Sequence, residues 1–144
     1  MLNRTIRTIV KDQEILTAPA KTSAGDAARL MKQHKVGAIL VVDDDQLVGI
    51  FTERDSLYRL VAEQRDARNT TLAEVMTPNP QTVLPDDPFP SALHMMHAGG
   101  FRHVPVVEDG KPIGMVSARD ALGPELEDFV YALLRQDQIG DILA

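Results

Sequence analysis

Two short motifs place a carboxylate three residues after a hydroxyl. They are Thr52-x-x-Asp55 and Ser117-x-x-Asp120, and each follows a predicted strand and opens a predicted helix. Free backbone N–H groups and the dipole at a helix N-terminus favour an anion, and a carboxylate there can accept hydrogen bonds from two adjacent ribose hydroxyls. The motifs therefore indicate nucleotide binding. The same spacing also fits a capping box, in which hydroxyl and acid satisfy each other's backbone donors.

The two motifs belong to an internal repeat. Gly49 to Asp55 and Gly114 to Asp120 are near copies at an offset of 65 positions, and the same offset aligns Val41-Val42 with Val106-Val107 without a gap. A repeat of this kind implies two copies of one structural unit, each too small to bury a good core alone. We therefore expect the two halves of the chain to pack on each other.

The elements that must position the motifs follow from the apolar pattern. In the first half we expect a helix within residues 2–10, a helix at 23–34 capped by Thr22, strands at 36–42 and 47–51, and a helix at 52–63. In the second half we expect a short helix at 72–76, a helix capped by Asp87 that ends near residue 98, and strands at 102–107 and 112–116. The Asp109-Gly110 pair between those strands is a strong hairpin signal. A further helix should start at Pro124.

Composition and charge argue against several classes of function. The net charge is −6 and the basic residues are scattered, which disfavours a nucleic-acid binder because such proteins use clustered Lys and Arg. The absence of cysteine excludes thiolate nucleophiles and thiolate metal sites. The longest apolar run, Val36 to Val42, is far shorter than the ~20 residues of a membrane span. We therefore expect a cytoplasmic protein that binds neither nucleic acid nor a membrane.

Signatures of catalysis are also lacking. The sequence has no phosphate-binding loop with its lysine, no activated nucleophile and no cluster of metal ligands. Asp55 and Asp120 are carboxylates of the type that serve as general acid and base, but the repeat symmetry would put them in different clefts. We therefore expect a protein that is not an enzyme and that holds no metal and no catalytic cofactor.

The motifs and their common frame resemble the cystathionine-β-synthase (CBS) domain pair. The markers are Gly49-x-x-Thr52-x-x-Asp55, Gly114-x-x-Ser117-x-x-Asp120, Met76-Thr77-Pro78 and the segment from Phe101 to Val107, and the resemblance covers about residues 8–122. It implies a mixed α/β (α+β) fold of two β-α-β-β-α repeats that pack through their sheets with pseudo-two-fold symmetry, also called a Bateman module. The expected units are a first repeat at 8–64, a linker at 65–71, a second repeat at 72–122 and a C-terminal helical tail at 123–144.

The resemblance implies a regulatory function. Members of the family commonly bind adenosine-containing molecules such as AMP, ADP, ATP, NAD(H) or S-adenosylmethionine in clefts between the repeats, and many pairs form a homodimer. The expected partners are therefore an adenosine ligand, a second copy of the chain and a regulated protein that the sequence does not name. Two alternatives stay open, namely a ligand-free dimerisation module and a catalytic or nucleic-acid-binding protein.

The resemblance assigns ligand-binding residues to each cleft. The first cleft would be formed by Thr52, Asp55, Thr77, Thr82, Val83, Arg102, His103 and Arg119. The second would be formed by Thr17, Ala18, Arg54, Ser117 and Asp120. At the repeat offset, Gly37 and Ala38 stand in place of Arg102 and His103, and Asp12 stands in place of Thr77. We therefore expect the first cleft to hold the more highly phosphorylated ligand.

Overall fold

Two antiparallel hairpins, one from each repeat, form the centre of the fold. The computed structural model describes the backbone of residues 4–143 and the side chains of residues 4–136. The helices are α1 (Ile6–Val10), α2 (Ala24–His34), α3 (Glu53–Asp55), α4 (Leu72–Val75), α5 (Phe89–Gly99) and α6 (Gly123–Leu143). The strands are β1 (Thr17–Ala18), β2 (Ala38–Asp43), β3 (Gln46–Thr52), β4 (Thr77–Pro78), β5 (His103–Glu108) and β6 (Lys111–Ser117). A π-helix (Ser56–Val61) continues α3, and a 3₁₀ helix (Ala118–Asp120) follows β6.

The first hairpin belongs to a four-stranded sheet of order β1-β2-β3-β4, in which only β1 and β2 are parallel. The second hairpin, β5–β6, forms a sheet of its own, and Val83 adds a parallel bridge to Val106. Its turn is made by Asp109 and Gly110, whose φ angles of 54° and 79° suit a tight two-residue turn. The Asp-Gly hairpin prediction is confirmed, and so is the mixed α/β fold.

The two hairpins contact each other through β3 and β6. Ala38, Leu40 and Ile50 are buried at this contact, and Leu47 and Met115 pack against them. The backbone N–H of Leu47 also donates a hydrogen bond of 3.3 Å to the carbonyl of Gly110 on the other hairpin. An apolar contact therefore joins the two halves, as expected for units too small to stand alone.

Each half of the molecule is a lobe with its own core, and each core is completed by a short helix that precedes the other repeat in sequence. The first lobe, built on β1–β4, buries Leu72 and Val75 of α4 beside Phe51. The second lobe, built on β5–β6, buries Ile6 and Val10 of α1 in its core. The segment between the repeats is bound in the first lobe as well, because Thr70 and Ala67 accept hydrogen bonds from the first turn of α2. The lead-in helices α1 and α4 are thus exchanged between the lobes.

The exchange explains the glycine that begins each motif. A side chain at Gly49 would overlap the side chain of Met76, which follows α4, and a Cβ at Gly114 would lie 2.6 Å from the Cβ of Val10. Real Cβ atoms do not approach each other so closely. Both positions therefore favour glycine because a lead-in segment lies directly on the strand.

Two predicted helix caps were wrong. Ser23, not Thr22, caps α2, because its hydroxyl accepts the N–H of Asp26 at 3.1 Å. Pro88 occupies the cap position of α5, while the Asp87 carboxylate accepts the N–H of Leu84 at 2.9 Å and closes the preceding turn. Pro88 is kept extended by a bridge to Thr5, a contact that no local pattern records. The predicted N-terminal helix is shorter than expected, and its proposed residue Leu2 lies outside the described residues.

The apolar residues of the C-terminal helix α6 are divided between two environments. Phe129 packs against the second lobe, with its ring 5.0 Å from that of His94 and 5.9 Å from that of His97. Leu126, Val130 and Leu134 are exposed by 49%, 46% and 56%. One side of α6 therefore folds back on α5 and the other faces solvent. No helix in residues 4–143 combines the length and the apolar character needed to cross a bilayer.

Candidate functional site

The first motif forms a complete capping box. The Thr52 hydroxyl accepts the N–H of Asp55 at 3.1 Å, and Asp55 Oδ2 accepts the N–H of Thr52 at 3.0 Å. Asp55 is only 7% exposed, whereas most aspartates lie at the surface. The capping interpretation is therefore correct for the local geometry, and the burial of the carboxylate needs further partners to offset its desolvation.

Those partners come from the segment that leads into the second repeat and from the π-helix. The Thr77 hydroxyl donates to Asp55 Oδ1 at 3.1 Å, because β4 pairs with β3 and places Thr77 opposite Ile50. Arg59 Nε lies 3.6 Å from the same oxygen, and Arg59 Nη1 donates to the Met76 carbonyl at 2.6 Å. The structure thus brings together the predicted residues Thr52, Asp55 and Thr77. The sequence analysis missed Arg59, although its i+4 spacing from Asp55 was a usable signal.

The second motif is built in the same way but is more open. Asp120 Oδ2 accepts the N–H of Ser117 at 2.7 Å and lies 3.5 Å from the Ser117 hydroxyl. Arg4 Nη2 donates to the Asp120 backbone carbonyl at 2.7 Å, and its guanidinium forms an ion pair of 2.6 Å with Glu125. Within the described residues, Asp120 Oδ1 accepts no hydrogen bond from the protein. The two predicted ribose-binding carboxylates therefore have different surroundings.

Basic side chains lie close to both motifs. His103 stands opposite Ser117 on the β5–β6 hairpin, and its ring carbon Cε1 would lie 3.6 Å from a Cβ at Gly37 in the first lobe. Burial lowers the pKa of His103 below its usual range, as do the cations Arg119 and Arg102, while Glu53 and Asp120 oppose the change. The neutral form of the His103 imidazole is therefore favoured. Arg102 and Arg119 are exposed, so an anion can approach their guanidinium groups from solvent.

The remaining predicted ligand residues are placed differently. Arg54 donates to the carbonyl of Gly100 at 3.1 Å and lies 5.3 Å above the ring of Tyr58. Val83 and Ala18 are core residues, exposed by 3% and 5%. Thr82 is partly buried and Thr17 is exposed. In the described part of the chain none of these side chains contacts Asp55 or Asp120 through a hydrogen bond.

Two surface hollows lie apart from the motif carboxylates. One, of about 620 Å³, is lined by Pro19, Ala20, Lys21, Val42, Asp43, Asp44, Thr71 and Ala73. The other, of about 230 Å³, is lined by Ala28, Met31, Lys32, Val36, Phe51, Glu53 and Ser56. Neither includes Asp55 or Asp120. Among the described residues, no group of three or more His, Asp or Glu side chains is arranged to hold a metal ion.

Comparison with known proteins agrees with this architecture. The sequence profile of the CBS domain matches residues 6–58 and 72–124. The Arabidopsis thaliana protein CBSCBSPB5 is 39% identical over 108 residues, which are 74% of this chain and 20% of that protein. The chain thus spans about a fifth of the length of the first curated relatives it matches.

Solved structures give the same result. The CBS-domain containing protein ATU1752 from Agrobacterium tumefaciens superposes with a TM-score of 0.75 at 30% identity, covering 81% of this chain and 95% of that one. The CBS domain pair of protein MJ0100, in complex with 5′-methylthioadenosine and S-adenosyl-L-methionine, superposes with a TM-score of 0.74 at 27% identity, covering 83% and 93%.

Proposed function

Because the chain belongs to the CBS domain family, we propose that it is a regulatory module that binds an adenosine-containing ligand in the groove between its lobes. The observation that carries the proposal is the carboxylate that each lobe holds at the end of its hairpin. In both cases the backbone N–H of a hydroxyl residue fixes one carboxylate oxygen and so orients the other. The binding of two adenosine derivatives by the related MJ0100 pair supports adenosine as the ligand class.

In the proposed binding mode, different residues contact the ribose, the phosphate and the base of the ligand. The ribose diol hydrogen-bonds to the carboxylate, with Thr52, Asp55 and Thr77 in the first cleft and Ser117 and Asp120 in the second. Arg102 and Arg119 provide the charge for a phosphate or another anionic group, and the imidazole of His103 can donate a hydrogen bond to it. Backbone and apolar surface near Thr17, Ala18, Thr82 and Val83 contact the base, and Arg54 completes the second cleft. Signalling then requires a ligand that binds two arrangements of the protein with different affinity.

A thermal-shift panel tests the proposal. Adenosine, AMP, ADP, ATP, NADH and S-adenosylmethionine are added in turn to the full chain, with inorganic phosphate as the control. A ligand that binds only the folded state stabilises it by mass action and so raises the melting temperature. At a free ligand concentration of one hundred times Kd, the gain in the free energy of unfolding is about 2.7 kcal/mol. We expect at least one adenosine compound to raise the melting temperature well above that measured with phosphate. The matching 2′-deoxy compound should raise the melting temperature less. A panel without any shift would favour the ligand-free module.

The outer side of α6 supports a second proposal, a homodimer. Leu126, Val130 and Leu134 are each about half exposed, and on the π-helix Leu57 and Val61 are exposed by 53% and 63%. Exposed apolar side chains in such numbers are typical of protein interfaces. We expect light scattering to give a dimer for the full chain and a monomer for a chain truncated after Leu122. A dimeric truncation would show that α6 is not the dimer element.

A further inference from the structure

The Asp55 carboxylate accepts three hydrogen bonds from the protein, and a cation faces its remaining acceptor position. An ionised carboxylate offers about four lone-pair sites. Oδ2 accepts from the N–H of Thr52 at 3.0 Å and from its hydroxyl at 3.2 Å. Oδ1 accepts from the Thr77 hydroxyl at 3.1 Å and faces Arg59 Nε at 3.6 Å. A ribose diol would have to displace at least one of these groups.

The Asp120 carboxylate lacks both of the groups that cover Asp55 Oδ1. The repeat offset places Asp12 where Thr77 stands and Pro124 where Arg59 stands, so neither the hydroxyl nor the cation has a counterpart. The nearby cation, Arg4, contacts the backbone carbonyl of Asp120 and the carboxylate of Glu125. Within the described residues, Asp120 Oδ1 is therefore the oxygen that remains available to a diol.

Arg59 has the properties of a movable cover. Its position is secured by the hydrogen bond of 2.6 Å from Nη1 to the Met76 carbonyl, which is independent of Asp55. Its approach to Asp55 is longer, at 3.6 Å, and its side chain is 47% exposed, so water and ligand can reach the pair. A long, solvent-accessible contact of this kind is weak enough for a ligand to break.

We propose that Arg59 is a latch that keeps the Asp55 carboxylate from a ribose diol, so that an adenosine ligand binds first at Asp120. This inference rests on the proposed function and adds the order in which the two clefts fill. The first cleft becomes available only when Arg59 turns away from Asp55. An anionic group on the ligand favours that movement because it offers the guanidinium an alternative partner.

Calorimetry with adenosine tests the latch, since adenosine carries the diol without a phosphate. In an Asp120→Asn background, which keeps an acceptor for the Ser117 N–H, the measured site is the Asp55 cleft. Adding Arg59→Ala should tighten adenosine binding there by up to about tenfold, because the diol no longer competes with a cation. The matched control is Arg65→Ala, which also removes an exposed cation near α4 but contacts Glu74 at 3.5 Å and not Asp55. With 2′-deoxyadenosine the gain should disappear.

The outcomes separate the latch from the proposed function. Adenosine binding that is unchanged or weaker in the Arg59→Ala chain would overturn the latch and make Arg59 a residue that positions Asp55. If adenosine binds to none of the chains, the assignment of the clefts to adenosine fails. The contact between Arg59 and Asp55 is then tested by the NMR chemical shift of the Asp55 carboxyl carbon, whose resonance is identified by its loss in Asp55→Asn. A shift with Arg59→Ala and none with Arg65→Ala supports the contact, and an unchanged resonance with Arg59→Ala overturns it.

Discussion

Replacement of Arg4 by alanine should destabilise the chain much more than replacement of Arg7, only three residues later. Arg4 forms two hydrogen bonds to the Glu125 carboxylate, at 3.1 and 2.6 Å, and a third to the carbonyl of Asp120. The Glu125 side chain has no exposed surface, whereas the Arg7 partners Asp86 and Glu108 are exposed by 81% and 49%. Arg4 thus neutralises a buried charge, and Arg7 contributes to a solvated surface.

The magnitude follows from what remains when the guanidinium is removed. Glu125 keeps one donor, the N–H of Leu122 at 2.9 Å. Breaking a buried ion pair costs about 3–5 kcal/mol when the remaining charge stays uncompensated. Arg4 is itself 24% exposed and covers Glu125, so water can enter after its removal. We therefore expect Arg4→Ala to lower the free energy of unfolding by about 2–3 kcal/mol, which corresponds to a fall in melting temperature of about 6–10 °C for a chain of this size.

Thermal and urea unfolding of five chains measure the effect: the unsubstituted protein, Arg7→Ala, Arg4→Ala, Glu125→Gln and the variant that combines Arg4→Ala with Glu125→Gln. The double variant should lose less stability than the two single losses added together, since the groups act as a pair. The Arg4 hydrogen bond lowers the pKa of Glu125, so the pair stabilises the fold above the ordinary glutamate range. This stability is lost as the pH falls from about 4.5 through the lowered pKa. A loss for Arg4→Ala no greater than that for Arg7→Ala would refute the reasoning.

Three further predictions concern the packing of the lobes. Gly114→Ala should cost more stability in urea unfolding than Gly49→Ala, because the obstructing Cβ of Val10 is fixed to its backbone whereas the Met76 side chain can turn aside. Because the pKa of His103 is lowered by folding, the stability of the fold decreases as the pH falls below about 6.5 towards the pKa of the folded state. The melting temperature of His103→Gln should therefore vary less between pH 5 and pH 8 than that of the unsubstituted protein. Phe129→Ala should accelerate hydrogen exchange in α6, and equal exchange rates in both chains would contradict its packing against α5.

Sequence reasoning was most successful where the controlling contacts are local. The 65-residue offset gave the two units, and the Asp109-Gly110 pair gave the second hairpin. Both capping boxes could be read from spacing, because the N-cap hydroxyl and the acid three residues later meet in one turn whatever surrounds them. Sequence reasoning was less successful for Asp87, which was wrongly predicted to cap α5, because the start of α5 depends on a bridge between Pro88 and Thr5.

The tertiary structure decided which residues from distant parts of the chain surround each motif. The sequence by itself determined the repeat, the hairpins and the position of each carboxylate, since these depend on residues within a few positions of one another. The exchange of α1 and α4, and the partnership of Arg4 with Glu125 across 121 positions, depend on how the lobes pack. Such contacts leave no periodic trace in the sequence, because the two residues that meet are separated by many positions and the local pattern around each does not record its partner. The repeat offset showed that Thr77 has no counterpart in the second repeat. Only the folded chain showed that Thr77 and Arg59 lie against the Asp55 carboxylate.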